Sequence, residues 1–410
     1  MRTLVLGICI LISTFSFAQR ECATSSYIEE QKRLHPALAR KLNDAELFMQ
    51  HQKANARLQG GGAASVIKIP VVVHVLYNKP EQNISDAQIK SQIEALNRDF
   101  RRDNPDSVNT PERFRALAAD VQIEFALATV DPKGRPTNGI VRKQTSVGFW
   151  KSDDKIKFSA QGGDDAWDSR YYLNIWVGNL QYALGYASPP GGPAEKDGIA
   201  IATSAFGTLG KTGAYNLGRT VVHETGHWLG LKHIWGDYYC GDDLVDDTPK
   251  QGNFTPGCPN GVRSSCDNGS AGDMYMNYMD YTGDACMNLF TEGQKQRMRS
   301  LFNPEGPRNA FLYSKGLGKP WSEESPVVEA PVVPLASFYP NPVANGIVLN
   351  LNDQWIGKQL KVVTAEGGNV KTIFVTTSRQ PVDLSGLKAG MYFLYGENGA
   401  EKLVEKLVKL

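Results

Sequence analysis

At 410 residues, with a net charge of +1 and 41% apolar residues, the chain is long enough for two or three folded units. A balance so near neutrality supplies no global basic field, so nucleic acid is excluded as an electrostatically recruited partner.

Met1-Arg2-Thr3, the apolar run from Leu4 to Phe17 and the small residues before Gln19 read as an export signal over residues 1–18. The run is too short for a membrane span, and no other segment approaches that length, so no transmembrane anchor is expected. Residues 19–62 are polar, carry Cys22 and a helical-looking run from Ala37 to Gln52, and close on Gly60-Gly61-Gly62. Between an export signal and a larger folded unit, such a segment predicts a propeptide.

The unit spanning 63–314 opens with the β-branched run Ile67–Tyr77, which fits a buried strand. Ser85-Asp86 caps a helix in which Ile89, Ile93, Leu96 and Phe100 recur at helical spacing. Val121–Leu127, Tyr171–Val177 and Gly198–Ile201 read as further strands, and Gly185-Tyr186-Ala187 as an edge strand above a cleft. A last helix runs from Thr291 to about Leu301, with Thr291 as its N-cap.

The densest chemistry lies in His223-Glu224-Thr225-Gly226-His227-Trp228-Leu229-Gly230-Leu231-Lys232-His233, which holds three of the six histidines. Residues four apart share a helix face, so His223 and His227 can bind one ion, and Glu224 is placed as a general base. Gly230 lets the backbone leave the helix and bring His233 back as a third ligand. Three imidazoles leave one tetrahedral position on zinc open, where a bound water has its pKa lowered to about 7.

Asp237, Asp242, Asp243, Asp246, Asp247 and Thr248 crowd the following loop, and hard oxygen donors at that density suit calcium. Cys240, Cys258, Cys266 and Cys286 cluster here as well; in an exported chain they favour two disulfides, in any of three pairings. Cys9 belongs to the export signal, which leaves Cys22 over. Residues 315–334 are rich in Pro, Gly, Glu and Val and form a linker. Residues 335–410 carry short alternating strands with Gly/Asn turns, predicting a small β-sandwich.

The long histidine motif followed by Asn277-Tyr278-Met279-Asp280-Tyr281 resembles the metzincin zinc proteases, specifically the bacterial branch of the pappalysin family, over roughly Ile67 to Phe311. That resemblance implies an α+β catalytic domain with a twisted mixed sheet, a backing helix, an active-site helix and a loop-rich lower half. It implies Met279 as the apolar floor of the metal site, Tyr281 as a hydroxyl that stabilises the transition state, and structural calcium in the acidic loop. It also implies the crossed disulfides Cys240–Cys266 and Cys258–Cys286, and substrates whose backbone pairs with the edge strand. Bacterial relatives cut before Arg or Lys, which makes Asp284 the candidate acidic group of the receiving pocket. In related enzymes a propeptide cysteine fills the open zinc position; Cys22 takes that role here, with Arg20 favouring the thiolate and self-cleavage expected at Ala56-Arg57 or Gln52-Lys53.

After residue 334, Tyr339-Pro340-Asn341-Pro342, Val382–Leu387, Lys388–Phe393 and the basic tail resemble the sorting domain of the type IX secretion system. Export through the periplasm to the medium or cell surface follows from that resemblance, with the secretion machinery as partner. The expected function is a secreted zinc endopeptidase acting on proteins or peptides; the competing class is a non-catalytic zinc-binding surface adhesin.

Overall fold

The computed structural model describes residues 22–59, 65–320, 336–364, 367–398 and 401–410. The export signal, Arg20, the glycine run and most of the linker lie outside these residues. The chain divides into two compact units, Met1–Trp321 and Ser322–Leu410.

The first unit begins with two helices, α1 (Thr24–Leu34) and α2 (Pro36–Gln59). The break between them follows from Pro36, which opens α2 as its first residue and bars His35 from helical geometry. The helical-looking run Ala37–Gln52 falls within α2, whereas α1 is a structural finding.

β1 (Ile67–Tyr77) is the hub of the sheet. It runs parallel to β2 (Ile123–Leu127), β3 (Ile140–Gln144) and β4 (Leu173–Gly178). Strands covered on both faces need continuous apolar sequence, and Val71, Val72, Val73 and Val75 are all fully buried. β4 then pairs with β6 (Ile199–Ala202), and β5 (Gly185–Ala187) closes that side as the antiparallel edge. The sequence expected β2 to begin at Val121. Gln122 adopts φ 59° instead, which delays the strand to Ile123.

α3 (Asp86–Phe100) backs the sheet, with Ser85 Oγ accepting from the Gln88 amide at 3.1 Å. Its stripe of Ile89, Ile93, Leu96 and Phe100 is buried in the main core. Each such side chain contributes about 1.5–3 kcal/mol of apolar transfer. A single turn, α4 (Glu112–Arg115), precedes β2. The active-site helix α5 (Arg219–Trp228) packs on α3 and the sheet edge. Below it the chain is mostly loop until α6 (Glu292–Ser300), where Thr291 and Gln294 form a reciprocal capping box. Two disulfides, Cys240–Cys266 and Cys258–Cys286, staple that loop region.

The second unit is a two-layer β-sandwich. One sheet has the order β10 (Asn369–Phe374), β9 (Gln359–Thr364), β12 (Gly390–Asn398), β13 (Glu401–Lys409), and the other β11 (Arg379–Asp383), β8 (Gly346–Leu351), β7 (Ala336–Tyr339). Trp355, Leu360, Val362, Leu394 and Leu407 form its buried interior. Among the described residues, no helix is long and apolar enough to cross a membrane.

Candidate metal centre and active site

α5 holds His223 and His227 one turn apart and closes in a Schellman motif. The Leu231 amide donates to the Gly226 carbonyl and the Gly230 amide to the His227 carbonyl, both at 2.9 Å. Gly230 takes φ 83°, the left-handed conformation this closure requires. The turn returns His233 to the helix face. His227 Nε2 then lies 3.1 Å from Nε2 of both His223 and His233. Those separations suit three nitrogens aimed at one centre.

The opposite ring nitrogens are tied down. His223 Nδ1 is 2.7 Å from the Tyr278 carbonyl and His227 Nδ1 is 2.9 Å from the Leu231 carbonyl. Carbonyls only accept, so these Nδ1 atoms carry the hydrogens and the Nε2 lone pairs face the centre. His233 Nδ1 is held by Asp237, and Trp235 stacks on the ring at 4.4 Å. Burial and the neighbouring His233 hold His227 down to about 4, so its imidazole stays neutral and fit to ligate at ordinary pH.

The fourth donor is Cys22. Its sulfur and one nitrogen of each histidine lie within 4.8 Å of one another, and this is the one such donor group among the described residues. Burial and the nearby Glu224 carboxylate push the Cys22 thiol up. Arg20, expected to favour the thiolate, lies outside the described residues. A cation at the centre would reverse the upward push on the thiol. Three imidazoles and one thiolate are a normal tetrahedral zinc set, so the residues fit the ion.

The segment carrying Cys22 lies along the sheet edge. Cys22 forms a parallel bridge with Gly185, and the Ala23 amide donates to the Gly185 carbonyl at 3.0 Å. Thr24 Oγ1 accepts from the Ala187 amide at 2.9 Å and donates to Glu224 Oε2 at 2.7 Å. Tyr281 Oη donates to the Cys22 carbonyl at 3.2 Å. Ser25 Oγ donates to Asp237 at 2.7 Å. The sequence offered no sign that residues 24 and 25 touch the site, because contacts across some 200 positions leave no local pattern.

A second anchor holds the same N-terminal segment at α2. Glu46 forms a paired contact with Arg297, whose Nε also donates to the Gly230 carbonyl at 2.8 Å. Met49 packs against Gly230, where an added Cβ would stand 2.8 Å from its sulfur. Beneath the helix, Met279 is fully buried, and a Cβ on Gly226 would meet its sulfur at 2.5 Å. The methionine thus forms a close-fitting floor.

The acidic loop does not gather its carboxylates at one point. Asp237 orients His233 instead of joining the loop's other acids. Asp242 accepts from the Leu244 amide, Asp246 pairs with Lys53, and Asp247 accepts from Thr291 Oγ1 and the Gly293 amide at the start of α6. Only Asp243 and Thr248 meet, at 2.8 Å. Short side chains on a tightly turning loop aim in different directions, which the sequence count could not register. Asp284 is fully buried, and its Oδ2 accepts from the Leu217 amide at 2.8 Å and the Arg219 amide at 3.2 Å, just ahead of α5.

Comparison with known proteins agrees with this geometry. The peptidase M43 family, described as pregnancy-associated plasma protein-A, matches residues 157–303, and a secretion system C-terminal sorting domain matches residues 337–410. An extracellular metalloprotease of Pyricularia oryzae is 32% identical over 306 residues, covering 71% of this chain and 96% of its own length. One from Colletotrichum graminicola is 31% identical, covering 66% and 88%. Mature mirolysin of Tannerella forsythia, solved with a cleaved peptide, is 52% identical with a TM-score of 0.60, covering 61% of this chain and 96% of that one. A promirolysin mutant from the same organism is 46% identical with a TM-score of 0.66, covering 72% and 97%.

Proposed function

The chain belongs to the pappalysin family of metzincin metalloendopeptidases, and we propose that it is made latent, with Cys22 covering its metal centre and Glu224 as its general base. It is secreted or held at the cell surface, and its C-terminal sorting domain serves the secretion machinery. Proteins or peptides are its substrates, and the family's catalytic ion is zinc. His223, His227 and His233 would hold that ion, with Cys22 as the fourth ligand before maturation. When bound, zinc polarises the scissile carbonyl and acidifies a water. Glu224, fully buried one residue after the first histidine, takes a proton from the attacking water and passes it to the leaving nitrogen. Tyr281 Oη donates to the oxyanion that develops on the carbonyl.

One observation carries latency: a single stretch, Cys22 to Thr24, engages all three functions at once. The thiol meets the histidines, the Cys22 carbonyl takes the Tyr281 hydroxyl, and Thr24 occupies Glu224. The stretch also runs parallel to β5. Antiparallel ladders are the more stable pairing, so a substrate adding to β5 that way runs opposite to this parallel segment, which blocks the cleft without being cut there. For maturation, Ala56-Arg57 near the C-terminal end of α2 is favoured over Gln52-Lys53, because the Lys53 ammonium is already engaged by Asp246.

Replacing Cys22 tests this directly. Cobalt-substituted full-length Glu224→Ala is expected to show a thiolate-to-metal absorption band that Cys22→Ala removes. In the otherwise intact chain, Cys22→Ala should mature at least about tenfold faster, equivalent to about 1.4 kcal/mol. Maturation will not become instantaneous, because the Glu46–Arg297 anchor remains. Unchanged latency with no thiolate band would remove Cys22 from the site.

Of the expected calcium set Asp242, Asp243, Asp246, Asp247 and Thr248, the buried acid is Asp243, and we place a structural calcium there beside Thr248. Asp243 is 5% exposed, and burial pushes its carboxyl up to about 7. A buried carboxylate with that tendency is stabilised in its charged form by a divalent cation. Millimolar calcium should raise the melting temperature of the parent by a few degrees, about 1 kcal/mol or more, and leave Asp243→Asn unmoved. Equal shifts in both proteins would exclude the site.

A further inference from the structure

Tyr27 of α1 is inserted into a pocket beside the edge strand and is only 4% exposed. Its ring lies 5.0 Å from that of Tyr186, and its Oη donates to Asp154 Oδ2 at 2.9 Å. The Lys157 ammonium is fully buried among rings, 4.8 Å from the centroid of Tyr186 and 5.4 Å from those of Tyr27 and Trp176. A buried cation under aromatic faces strengthens recognition of one more ring. Burial beside Asp154 also pushes the Tyr27 phenol up, so it remains a donor at any working pH.

The walls do not depend on Tyr27. Lys157 Nζ lies 3.0 Å from Asp154 Oδ1 and donates to the Lys196 carbonyl at 2.8 Å. Lys196 Nζ is 3.3 Å from Asp154 Oδ2. Trp176 is pinned by its Nε1, which donates to the Asp164 carbonyl at 2.8 Å. When the residues ahead of Arg57 leave, a preformed pocket remains with an aromatic slot and a carboxylate acceptor at its end.

Its position relative to the cleft is set by strand direction. Cys22, at the metal centre, pairs with Gly185, and the segment then advances with β5 past Ala187. Further along, Gln31 meets Lys196 and Lys41 approaches Gly191, both beyond the C-terminal end of β5. Tyr27 lies on that side. In a substrate that adds antiparallel to β5, the residues ahead of the scissile bond occupy the same side.

We propose that the Asp154, Lys157, Trp176 and Tyr186 pocket is a substrate subsite of the mature enzyme, selecting a tyrosine a few residues before the scissile bond, and that Tyr27 mimics this side chain in the latent chain. This rests on the protease function proposed for the metal centre and adds a second specificity element to it. Binding a phenol through both ring and hydroxyl predicts a graded response. A site built around a hydroxyl acceptor also discriminates against the analogue that lacks it.

The test uses mature enzyme and fluorogenic peptides with a fixed Arg after the scissile bond. Tyr, Phe or Ala is placed in turn at each of the five positions before that bond and the three after the Arg. At one of the upstream positions, kcat/KM is expected to be at least tenfold higher for Tyr than for Ala, with Phe between. A competing peptide covering residues 22–34 with Cys22→Ser should inhibit at least tenfold better than the same peptide with Tyr27→Ala as well. Peptides all cut at one rate, or a Tyr gain confined to downstream positions, would overturn the subsite. No cleavage of any peptide would instead overturn the protease function beneath it.

Discussion

Glu224→Ala is expected to bind one zinc per chain like the parent while losing about 10³-fold or more in kcat/KM. The full-length variant should accumulate uncut wherever maturation is autolytic. The separation of effects comes from the geometry: the Glu224 carboxylate accepts from Thr24 Oγ1, while the imidazoles are oriented by the Tyr278 and Leu231 carbonyls and by Asp237. Removing Glu224 leaves the three nitrogens in place, with the two carbonyls and the Asp237 carboxylate that orient them. Paired measurements of metal content by mass spectrometry and of peptide cleavage check both halves. Activity within tenfold of the parent would assign the base elsewhere.

The second large effect concerns Asp284, which we propose as the acidic group that receives Arg or Lys after the scissile bond. Asp284→Ala should lower kcat/KM for Arg and Lys peptides on the order of a hundredfold, the loss of one desolvated charge pair worth about 3 kcal/mol. Alanine also strips an acceptor from the Leu217 and Arg219 amides, so stability will fall with it. Asp284→Asn separates the two contributions. Its amide oxygen can still accept from those amides, so the melting temperature should stay near the parent's while the basic preference disappears. The Arg219 guanidinium pairs with Asp99 and Asp106 and donates to the Asp284 backbone carbonyl, a contact that neither substitution removes. An Asn variant that still prefers Arg and Lys would place the specificity on another residue.

The sequence by itself determined whatever is encoded at short range. The buried strand Ile67–Tyr77, the capped helix after Ser85, the four-residue spacing of His223 and His227 and the need for a left-handed residue at Gly230 are all local consequences of side-chain type and backbone preference. Composition likewise marked the second β-rich unit, because alternating apolar residues with Gly/Asn turns have few other outcomes. Tertiary structure alone decided which distant groups meet. Helix α1 owes its place to Tyr27, Thr24 and Cys22 reaching partners far along the chain. Asp237 and Asp247 read alike in a crowded acidic loop, yet one orients a histidine and the other caps a helix, since loop geometry and not residue count aims a short carboxylate. The direction in which Cys22 crosses β5 was also beyond reach of the sequence: strand pairing is set by backbone hydrogen bonds, which every residue except proline offers alike.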